Sequence, residues 1–488
     1  MMMLSQAAQV LNGRLVGEDV RFTAVCSDSR KMTQGDLFIA LRGEHFDGHE
    51  FVGQAAQSGA VAAMVNADSY EAHPSVLSSQ CSVLVVADTR LALGQLAAYW
   101  RDQFDIPLVA ITGSNGKTTV KEMLAGILRT AAGGDAAVLA TKGNLNNDIG
   151  MPLTLLQMGA LHRYAVIEMG MNHPGEIDYL ARIACPDVAL VNNASSAHLE
   201  GLGSVAAVAA AKGEIFAGLR ANGAAIINAD DAYAPLWRSL AGAHPLLEFG
   251  LDQQADVYGR WLPKDFGLQI EVRTPQGNFT ADLQVPGAHN ARNALAATAA
   301  AIALNVPLET IVAGLERFGG VAGRLQRKAA KHGAALIDDT YNANPDSMRA
   351  AIGVLAQAAG KRVLVLGDMG ELGDDAPILH AGIGREARRA GIERLFALGA
   401  LSGNTVSAFG SGGRHFEHIE DLQDALEKEL DANTTVLVKG SRFMKMERVV
   451  SSCVDTGKGE GIRDKGGADT GSPPSLFHLP PSQTKEAH

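Results

Sequence analysis

The octapeptide TGSNGKTT at residues 112–119 follows the apolar run PLVAI at 107–111 and leads into an amphipathic helix pattern. A buried strand, a glycine turn and a helix in this order form a phosphate cradle, because glycines let backbone N–H groups approach an anion and the helix N-terminus adds partial positive charge. Lys117 can reach terminal phosphates, and the Thr118 hydroxyl can hold a magnesium ion. Ile111 replaces the first glycine of the longer motif, so this is the shorter GxxGKT variant. A glycine turn alone could be purely structural, but the lysine and threonine that follow favour nucleotide binding.

The bulk composition excludes several classes of protein. With 488 residues the chain is too long for one core and predicts about three domains. The longest apolar stretch, near 294–304, is too short for a membrane span, and the N-terminus lacks the pattern of a secretory signal. The four cysteines form no CxxC pair, which favours a reducing compartment and argues against structural zinc. A net charge of −11 argues against nucleic acid or anionic membrane as partner. We therefore expect a soluble, cytoplasmic protein.

Alternation of apolar runs and helical patterns predicts an α/β fold in three domains. Residues 1–84 form a small N-terminal αβ domain, and 85–318 form a central P-loop ATPase-like domain with a largely parallel sheet. Residues 319–450 form a C-terminal Rossmann-like domain. The composition of 451–488 changes to Gly, Ser, Pro and Lys without periodicity, which predicts a disordered tail.

The central domain has candidate strands at 108–112, 164–168, 188–192 and 224–228, and alternation over 254–285 predicts an antiparallel excursion. The third domain has candidate strands at 335–337, 363–366, 394–398 and 435–438. Each of these runs into a polar or glycine-rich loop: DDTYNANP, GDMGELG, LGA and KGSR. Open parallel sheets bind ligands at such carboxyl ends.

Three polar residues of the central domain are candidate ligands, each with a simpler explanation. Glu168 ends a strand next to the phosphate loop, where nucleotide enzymes place a magnesium ligand, although a solvated glutamate explains it equally well. His198 follows another strand, and a lone loop histidine is more often a capping or surface residue. Lys212 stands in the small-residue helix AAVAAAKGEIFAGL. By itself it is better explained as a side chain that snorkels to solvent.

A set of motifs favours ligand roles for these three residues over the simpler explanations. The stretches TGSNGKTT, TKGNLNNDIGMPLTLL, YAVIEMGMNHPGEI, NNASSAHLEGLGS, AKGEIFAGL and PGAHNARNALAA resemble the Mur ligases of peptidoglycan synthesis. SDSRKMTQGDLFIALRGEHFDGHEF, DDTYNANPDSM, GDMGELG and KGSR resemble the members that join D-alanyl-D-alanine to UDP-N-acetylmuramoyl-tripeptide. The resemblance runs in order over about residues 5–450.

The resemblance implies a role for each matching residue. ATP would be bound by Gly113, Ser114, Asn115, Gly116, Lys117, Thr118 and Thr119, with Asn290 and Asn293 on adenine and Arg324 and Asp339 on phosphates and ribose. Two magnesium ions would be held by Thr118, Glu168, His198 and a Lys212 carbamylated by carbon dioxide. The catalytic set would be Lys117, Lys212, His198 and Arg324. Substrate would be bound by Ser29 and Arg30 on the uridine side, Asn144, Asn146 and Asn147 on the muramoyl-peptide, and Tyr341, Asn342, Asn344, Lys439, Ser441 and Arg442 on the dipeptide.

The reaction implied is ATP-dependent and ADP-forming. Transfer of the γ-phosphoryl group to a peptide carboxylate gives an acyl phosphate, which the amine of D-alanyl-D-alanine then attacks. The resemblance also implies a monomer without nucleic acid or membrane span. Whether the third residue of the tripeptide is diaminopimelate or lysine stays open.

Competing interpretations are separated by single motifs. The sister ligase that adds the third amino acid usually carries an Asp-Asn-Pro-Arg loop, which this chain lacks. Folylpolyglutamate synthetase shares TGxNGKTT but lacks the DSR…GDLFIAL domain. A non-catalytic, regulatory ATP-binding protein would need to have lost Glu168, His198 or Lys212, and all three are present. The sequence departs from the family pattern at one place. SSCVDTGKGEGIRDKGG replaces the usual apolar end of the last helix, through an altered reading frame or a lineage-specific tail.

Overall fold

The computed structural model describes residues 1–74, 81–195 and 199–454. They divide into two compact units, Met1–Val321 with Glu371–Gly373, and Ala322–Gly370 with the described residues from Asp374 onward. Three main sheets, each combined with helices, confirm the predicted α/β class. No helix in these three ranges is long and apolar enough to cross a membrane.

The N-terminal part of the first unit is a five-stranded sheet. Its strands in spatial order are Arg14–Val16, Ser82–Val86, Ala60–Asn66, Asp36–Ile39 and Ala24–Cys26, the first pair antiparallel and the others parallel. A two-stranded ribbon pairs Met2–Met3 with Arg21–Phe22. The helices are Leu4–Val10, Val52–Gln57, Ala67–Ala72 and Thr89–Arg101, with a 3₁₀ turn at Gly48–Phe51.

The central part of the first unit is a nine-stranded sheet. Its strands in spatial order are Gly277–Leu283, Gly267–Thr274, Val257–Lys264, Leu246–Gly250, Ala224–Asn228, Val188–Val191, Leu108–Thr112, Tyr164–Glu168 and Val138–Ala140. The pairing is parallel except among the first three strands, which are antiparallel. The antiparallel excursion and the four predicted central strands are confirmed. The phosphate-loop strand lies between two neighbours whose carboxyl ends meet its own.

Helices cover both faces of this central sheet. They are Lys117–Ala132, Gly150–Leu155, Glu176–Ala184, Leu199–Leu202, Val205–Gly213, Ala234–Ala241, Ala288–Ala303 and Leu308–Glu316, with 3₁₀ turns at Asp135–Ala137 and Glu214–Gly218. The helix Lys117–Ala132 buries Val120, Leu124, Ile127 and Leu128 at helical spacing. It packs on the sheet through that face, as the periodicity predicts, and this fixes the position of the loop at its N-terminus.

One apolar core is shared by the N-terminal sheet and one face of the central sheet. The helix Thr89–Arg101 contributes Leu93 and Leu96 to it. Asp88 caps this helix by accepting hydrogen bonds from the backbone N–H groups of Arg90 and Leu91, at 2.7 and 3.0 Å. The N-terminal and central sheets therefore belong to one packed unit.

The second unit is a six-stranded sheet in the order Gln326–Ala329, Ala335–Asp339, Thr434–Lys439, Lys361–Gly367, Arg394–Leu398 and Gly413–Phe416. Only the first pair is antiparallel. The helices are Pro345–Ala356, Ala376–Arg389, Ser402–Phe409, Ile419–Glu427 and Glu447–Cys453, with 3₁₀ turns at Lys331–Gly333, Gly373–Asp375 and Arg442–Met444. The four strands predicted for this region are confirmed.

Two predicted boundaries differ from the structure. The strand Ser82–Val86 runs across the boundary placed at residue 84, because its backbone pairs with Ala60–Asn66 along its whole length. The last helix continues to Cys453, and Val454 forms a β-bridge with Ala330. The disordered tail predicted from residue 451 is therefore wrong for residues 451–454, where Cys453 packs into the core at 3% exposure. Residues 455–488 lie outside the described chain.

Candidate functional site

The phosphate loop has the backbone that its glycines allow. The strand Leu108–Thr112 is buried throughout, and the helix begins at Lys117. Gly116 has φ +79°, a left-handed conformation that costs other residues free energy. A Cβ at Gly116 would lie 2.5 Å from Asn192 Nδ2 and closer still to Asn293 Oδ1. Conformation and space therefore both require glycine at this position.

Lys117 lies over the loop that it follows. Its ammonium donates hydrogen bonds to the carbonyl oxygens of Gly113 at 2.6 Å and Ser114 at 3.4 Å. The first backbone N–H groups of a helix have no intrahelical partner and point out of its N-terminus. The loop thus combines a cation with a helix N-terminus, which is an arrangement suited to a phosphate group.

A pair of asparagines that the sequence analysis missed supports the loop. The Asn193 carbonyl accepts a hydrogen bond from Ser114 N at 2.9 Å, and Asn193 Oδ1 accepts one from Asn115 N at 2.8 Å. Asn192 Nδ2 donates to Asn115 O at 2.9 Å and to Asn293 Oδ1 at 3.1 Å. The available signal was the pair Asn-Asn directly after the strand Val188–Val191, whose parallel partner is the phosphate-loop strand.

Asn290 and Asn293 lie on the helix Ala288–Ala303 and are each 5% exposed. Asn293 Nδ2 donates to Asn290 Oδ1 at 3.2 Å, and Asn290 Nδ2 donates to Pro286 O at 2.8 Å. Through Asn192 this pair joins the phosphate loop. The structure therefore brings both predicted residues to the loop, while their contact with adenine stays a prediction.

Glu168 lies at the centre of a hydrogen-bonded cluster at the neighbouring strand end. It is 2% exposed, so it is not the solvated strand-end glutamate that the sequence also allowed. Its Oε2 accepts a hydrogen bond from Thr118 Oγ1 at 2.8 Å, and its Oε1 accepts one from Asn146 Nδ2 at 2.8 Å. The structure therefore brings together a loop threonine, a buried carboxylate and one of the three predicted substrate asparagines.

The oxygens of Thr118 and Glu168 fit a magnesium ion. Magnesium prefers hard oxygen ligands, and it commonly takes only one or two from the protein while water and substrate phosphate supply the rest. Outside the gaps at 75–80, 196–198 and 455–488, no group of three His, Cys, Asp or Glu side chains is placed to hold a metal. The predicted ligand His198 lies outside the described residues.

Lys212 is buried, with 1% of its surface exposed, and lies at the end of the helix Val205–Gly213. Snorkelling to solvent is therefore wrong for this side chain. Burial, and secondarily the charge of Lys117, lowers the pKa of Lys212 well below its usual value. The neighbouring Trp237 fixes the helix by donating from Nε1 to Ala209 O at 2.9 Å. The site thus holds a lysine that readily loses its proton.

The loop that carries Asn144, Asn146 and Asn147 has partly structural contacts. Asn147 Oδ1 accepts from Gly150 N at 2.9 Å, at the start of the helix Gly150–Leu155. The carbonyl of Asn144 accepts from Asn146 N at 2.8 Å. Only Asn146 of the three donates to the Glu168 carboxylate.

Ser29 and Arg30 lie after the strand Ala24–Cys26 of the N-terminal sheet. The Ser29 hydroxyl donates to Gln54 Oε1 at 3.3 Å, and Arg30 Nε donates to Asp28 Oδ1 at 2.8 Å. Their predicted contact with uridine stays a prediction.

In the second unit, Asp339 ends the strand Ala335–Asp339 and pairs with Lys439 at 2.6 Å. Burial raises the pKa of Asp339, although the charge and hydrogen bond of Lys439 act in the opposite direction. Asp339 Oδ1 also accepts from Leu325 N at 3.1 Å. The Arg324 guanidinium carbon lies 4.1 Å from the Tyr341 ring centroid, a cation–π contact.

The remaining predicted residues of the second unit divide into two groups. Lys439 also donates to Asn342 O at 2.9 Å, and the Ser441 hydroxyl donates to Ala343 O at 3.2 Å, so these two loops contact each other. Asn344 caps the helix Pro345–Ala356 by accepting from Ser347 N at 2.9 Å, which gives it a structural role. Arg442 is exposed and pairs with Glu447 at 3.3 Å.

A GKT phosphate loop at the carboxyl edge of a parallel sheet, beside a buried carboxylate, defines the first unit as a P-loop nucleotide-binding protein. Three family models match in order: "Mur ligase family, catalytic domain" at residues 21–101, "Mur ligase middle domain" at 111–301 and "Mur ligase, glutamate ligase domain" at 323–442. Together they span most of the chain. This protein belongs to the Mur ligase family.

Two curated relatives share the name UDP-N-acetylmuramoyl-tripeptide--D-alanyl-D-alanine ligase. The one from Escherichia coli (strain K12) is 43% identical over 458 residues, which cover 93% of this chain and 98% of the relative. The one from Bacillus subtilis (strain 168) is 36% identical over 472 residues, covering 92% of this chain and 97% of the relative.

Solved structures agree with this assignment. MurF from Acinetobacter baumannii has a TM-score of 0.85 and 38% identity, covering 92% of this chain and 97% of that structure. MurF from Thermotoga maritima, solved in complex with ADP, has a TM-score of 0.77 and 27% identity, covering 89% of this chain and 98% of that structure.

Proposed function

We propose that this protein is the ADP-forming ligase that joins D-alanyl-D-alanine to UDP-N-acetylmuramoyl-tripeptide and so makes the pentapeptide precursor of peptidoglycan. The observation that carries the proposal is the phosphate loop with Thr118 bonded to Glu168 at 2.8 Å, in a chain 43% identical over 93% of its length to a relative of that name. The protein binds ATP and acts in the cytoplasm.

The chain's own residues prepare the peptide carboxylate for attack. A carboxylate is a poor electrophile, since its charge repels an incoming amine, and transfer of the ATP γ-phosphoryl group to it gives an acyl phosphate with a good leaving group. Lys117 and the N–H groups of the loop hold the terminal phosphates and offset their charge. The amine then displaces phosphate and forms the amide.

Thr118 and Glu168 would hold magnesium, with Asn146 orienting the carboxylate. The ion, when bound, offsets the charge that gathers between the carboxylate and the phosphate. Asn146 donates a hydrogen bond to Glu168 Oε1, and Thr118 donates one to Glu168 Oε2. Each carboxylate oxygen keeps one further lone pair, and the two hydrogen bonds fix the direction in which it points.

Lys212 is proposed to be carbamylated. A protonated lysine cannot ligate magnesium, because its ammonium group has only donors. Carbon dioxide reacts with the unprotonated amine, and burial favours that form by lowering the pKa of Lys212. No described carboxylate forms an ion pair with this side chain, so nothing in the described chain already neutralises the ammonium form. The carbamate would reverse the charge and supply two oxygens for a second magnesium ion.

Roles for the other predicted residues remain part of the proposal. In the first unit these are His198, Asn290, Asn293, Ser29, Arg30, Asn144 and Asn147. In the second unit these are Arg324, Asp339, Tyr341, Asn342, Asn344, Lys439, Ser441 and Arg442. A monomer is proposed as the active form.

Phosphate release tests the activity. With ATP and magnesium, the protein should release phosphate only when UDP-N-acetylmuramoyl-tripeptide and D-alanyl-D-alanine are both present, with diaminopimelate- and lysine-containing tripeptides compared. UDP-N-acetylmuramoyl-dipeptide with a single amino acid tests the ligase that acts one step earlier. Turnover with that pair alone, or no turnover with any pair, would overturn the proposal.

The carbamate has its own test. Lys212→Ala should be nearly inactive and partly rescued by formate or acetate, which can occupy the vacated oxygen positions. Lys212→Arg should stay inactive with or without these anions, since a guanidinium keeps positive charge at the site. Near-normal activity of Lys212→Arg would refute carbamylation and leave the ligase assignment standing.

A further inference from the structure

Lys121 is a buried cation without a role in the chemistry described above. It lies on the helix Lys117–Ala132, and its side chain is 1% exposed. Its ammonium pairs with Glu122 at 2.8 Å and donates a hydrogen bond to Thr141 O at 2.5 Å. A buried charge is costly even when it is paired, and an apolar side chain of similar volume is often tolerated as well or better. Packing alone therefore does not explain a lysine here.

Thr141 connects this cation to Glu168. Thr141 follows the edge strand Val138–Ala140 and is 1% exposed. The register pairs Ala140 with Val166, and Thr141 N still donates a backbone hydrogen bond to Val166 O at 3.1 Å. The Thr141 hydroxyl then accepts a hydrogen bond from Glu168 N at 2.9 Å. The side chain of Thr141 therefore binds the end of the neighbouring strand, while its backbone carbonyl accepts from Lys121.

The phosphate-loop helix therefore holds Glu168 at two points. Thr118 and Lys121 are three residues apart, which places them on the same side of the helix. Thr118 donates to the carboxylate of Glu168 at 2.8 Å, whereas Lys121 holds Thr141, which accepts from the backbone of Glu168. One contact orients the carboxylate and the other fixes the backbone that carries it.

We infer that Lys121 and Thr141 are positioning residues that fix Glu168 for magnesium. The inference rests on the proposed role of Glu168 as a magnesium ligand. Groups that orient a metal ligand typically change metal affinity by about 10–100-fold when they are removed. Lys121→Met keeps the apolar stem but removes the donor to Thr141. Thr141→Val keeps the shape but leaves the buried Glu168 N–H without its acceptor.

The test is calorimetric binding of ADP without peptide substrates, first in EDTA and then over a magnesium series. ADP affinity is measured at each magnesium concentration. The quantity compared between variants is the magnesium concentration that gives half of the total gain in ADP affinity. Thr141→Val and Lys121→Met should raise it by about 10–100-fold, with ADP binding in EDTA unchanged. Thr141→Ser keeps the hydroxyl and should retain the wild-type value.

Thr298→Val is the matched control. Thr298 is 0% exposed and its hydroxyl has no hydrogen-bond partner among the described residues, so the same substitution removes no contact there. An unchanged magnesium requirement in folded Thr141→Val, or an equal rise in Thr298→Val, would overturn the inference. If Lys121→Met fails to fold, Thr141→Val decides. If the ADP affinity of the wild-type protein does not change with magnesium concentration, the metal site itself is refuted, and the inference with it.

Discussion

Replacing Gly116 by alanine tests the geometry of the phosphate loop, and the chain supplies its own control. Gly116 precedes the helix Lys117–Ala132 and Gly133 follows it, with φ +79° and +76°. A Cβ at Gly133 would meet no atom within 4 Å, whereas one at Gly116 would collide with the side chains of Asn192 and Asn293. The two substitutions therefore carry the same backbone strain and differ in steric overlap.

The magnitudes follow from these contacts. A non-glycine residue in the left-handed conformation costs about 1–2 kcal/mol, and this is the whole expected loss for Gly133→Ala. At Gly116 the methyl group also displaces Asn192 Nδ2 from Asn115 O and Asn293 Oδ1, two hydrogen bonds of 2.9 and 3.1 Å. With roughly 0.5–1.5 kcal/mol for each bond, Gly116→Ala should lose about 2–5 kcal/mol of unfolding free energy.

Urea unfolding measures the stability of both variants, and calorimetric titration with ADP measures binding. Gly133→Ala should bind ADP as the wild type does. Gly116→Ala should bind ADP about 2–10-fold more weakly, because the loss of one loop hydrogen bond worth roughly 0.5–1.5 kcal/mol corresponds to that range. If Gly116→Ala bound ADP with wild-type affinity, or if both variants lost the same stability, the steric argument would be refuted.

Three further predictions concern other parts of the chain. A chain ending at Val454 should keep the wild-type unfolding midpoint. One ending at Val450 should lose roughly 1–2 kcal/mol, because it lacks the buried Cys453 and each buried methylene-sized group contributes about 0.8 kcal/mol; equal midpoints would contradict this. Burial, and secondarily the charge of Lys117, lowers the pKa of Lys212 in the folded protein. At a pH between this lowered pKa and the usual lysine pKa, the unfolded chain binds more protons than the folded one. The free energy of unfolding therefore rises with pH over that range. In bicarbonate-free buffer, urea unfolding should show this rise from neutral to alkaline pH in the wild type and lose it in Lys212→Met; identical pH profiles would contradict the burial argument. Asn344→Ala should lower the free energy of unfolding by about 0.5–2 kcal/mol, measured by urea unfolding, because the helix Pro345–Ala356 loses its N-cap. An unchanged unfolding midpoint would show that Asn344 does not stabilise this helix.

Local features of the fold could be predicted well from the sequence. Neighbouring residues alone specify three consecutive elements. The buried run 107–111 specifies a strand, the glycines after it specify a turn, and the periodic apolar residues that follow specify a helix. The same holds for the four predicted strands of the second unit, which end in polar or glycine-rich loops. The missed boundaries have a common cause: Ser82–Val86 and the end of Glu447–Cys453 are fixed by pairing and packing with distant segments.

The site was predictable only in part. Motif matching identified Glu168 and Lys212, but it could not determine their environment, because burial depends on how helices cover the sheet. Asn192 and Asn193 carried only the signal of an Asn-Asn pair after a strand, and Thr141 carried none of its own. Each acts through a hydrogen bond to a residue far away in sequence. Asn344 and Asn147 each accept a backbone hydrogen bond at the start of a helix, which the motifs did not indicate, and their contacts with substrate stay predictions.

The phosphate loop, the alternation of strands and helices and the family resemblance follow from residue type and short spacing, so the amino-acid order was enough to predict them. Three features needed the folded chain: the contacts of Glu168 with Thr118 and Asn146, the burial of Lys212, and the place of residues 451–454 in the last core. The energetic cost of a buried charge and the partner of a polar group both depend on the atoms that surround them. Parallel strands bring those surroundings together from distant parts of the chain.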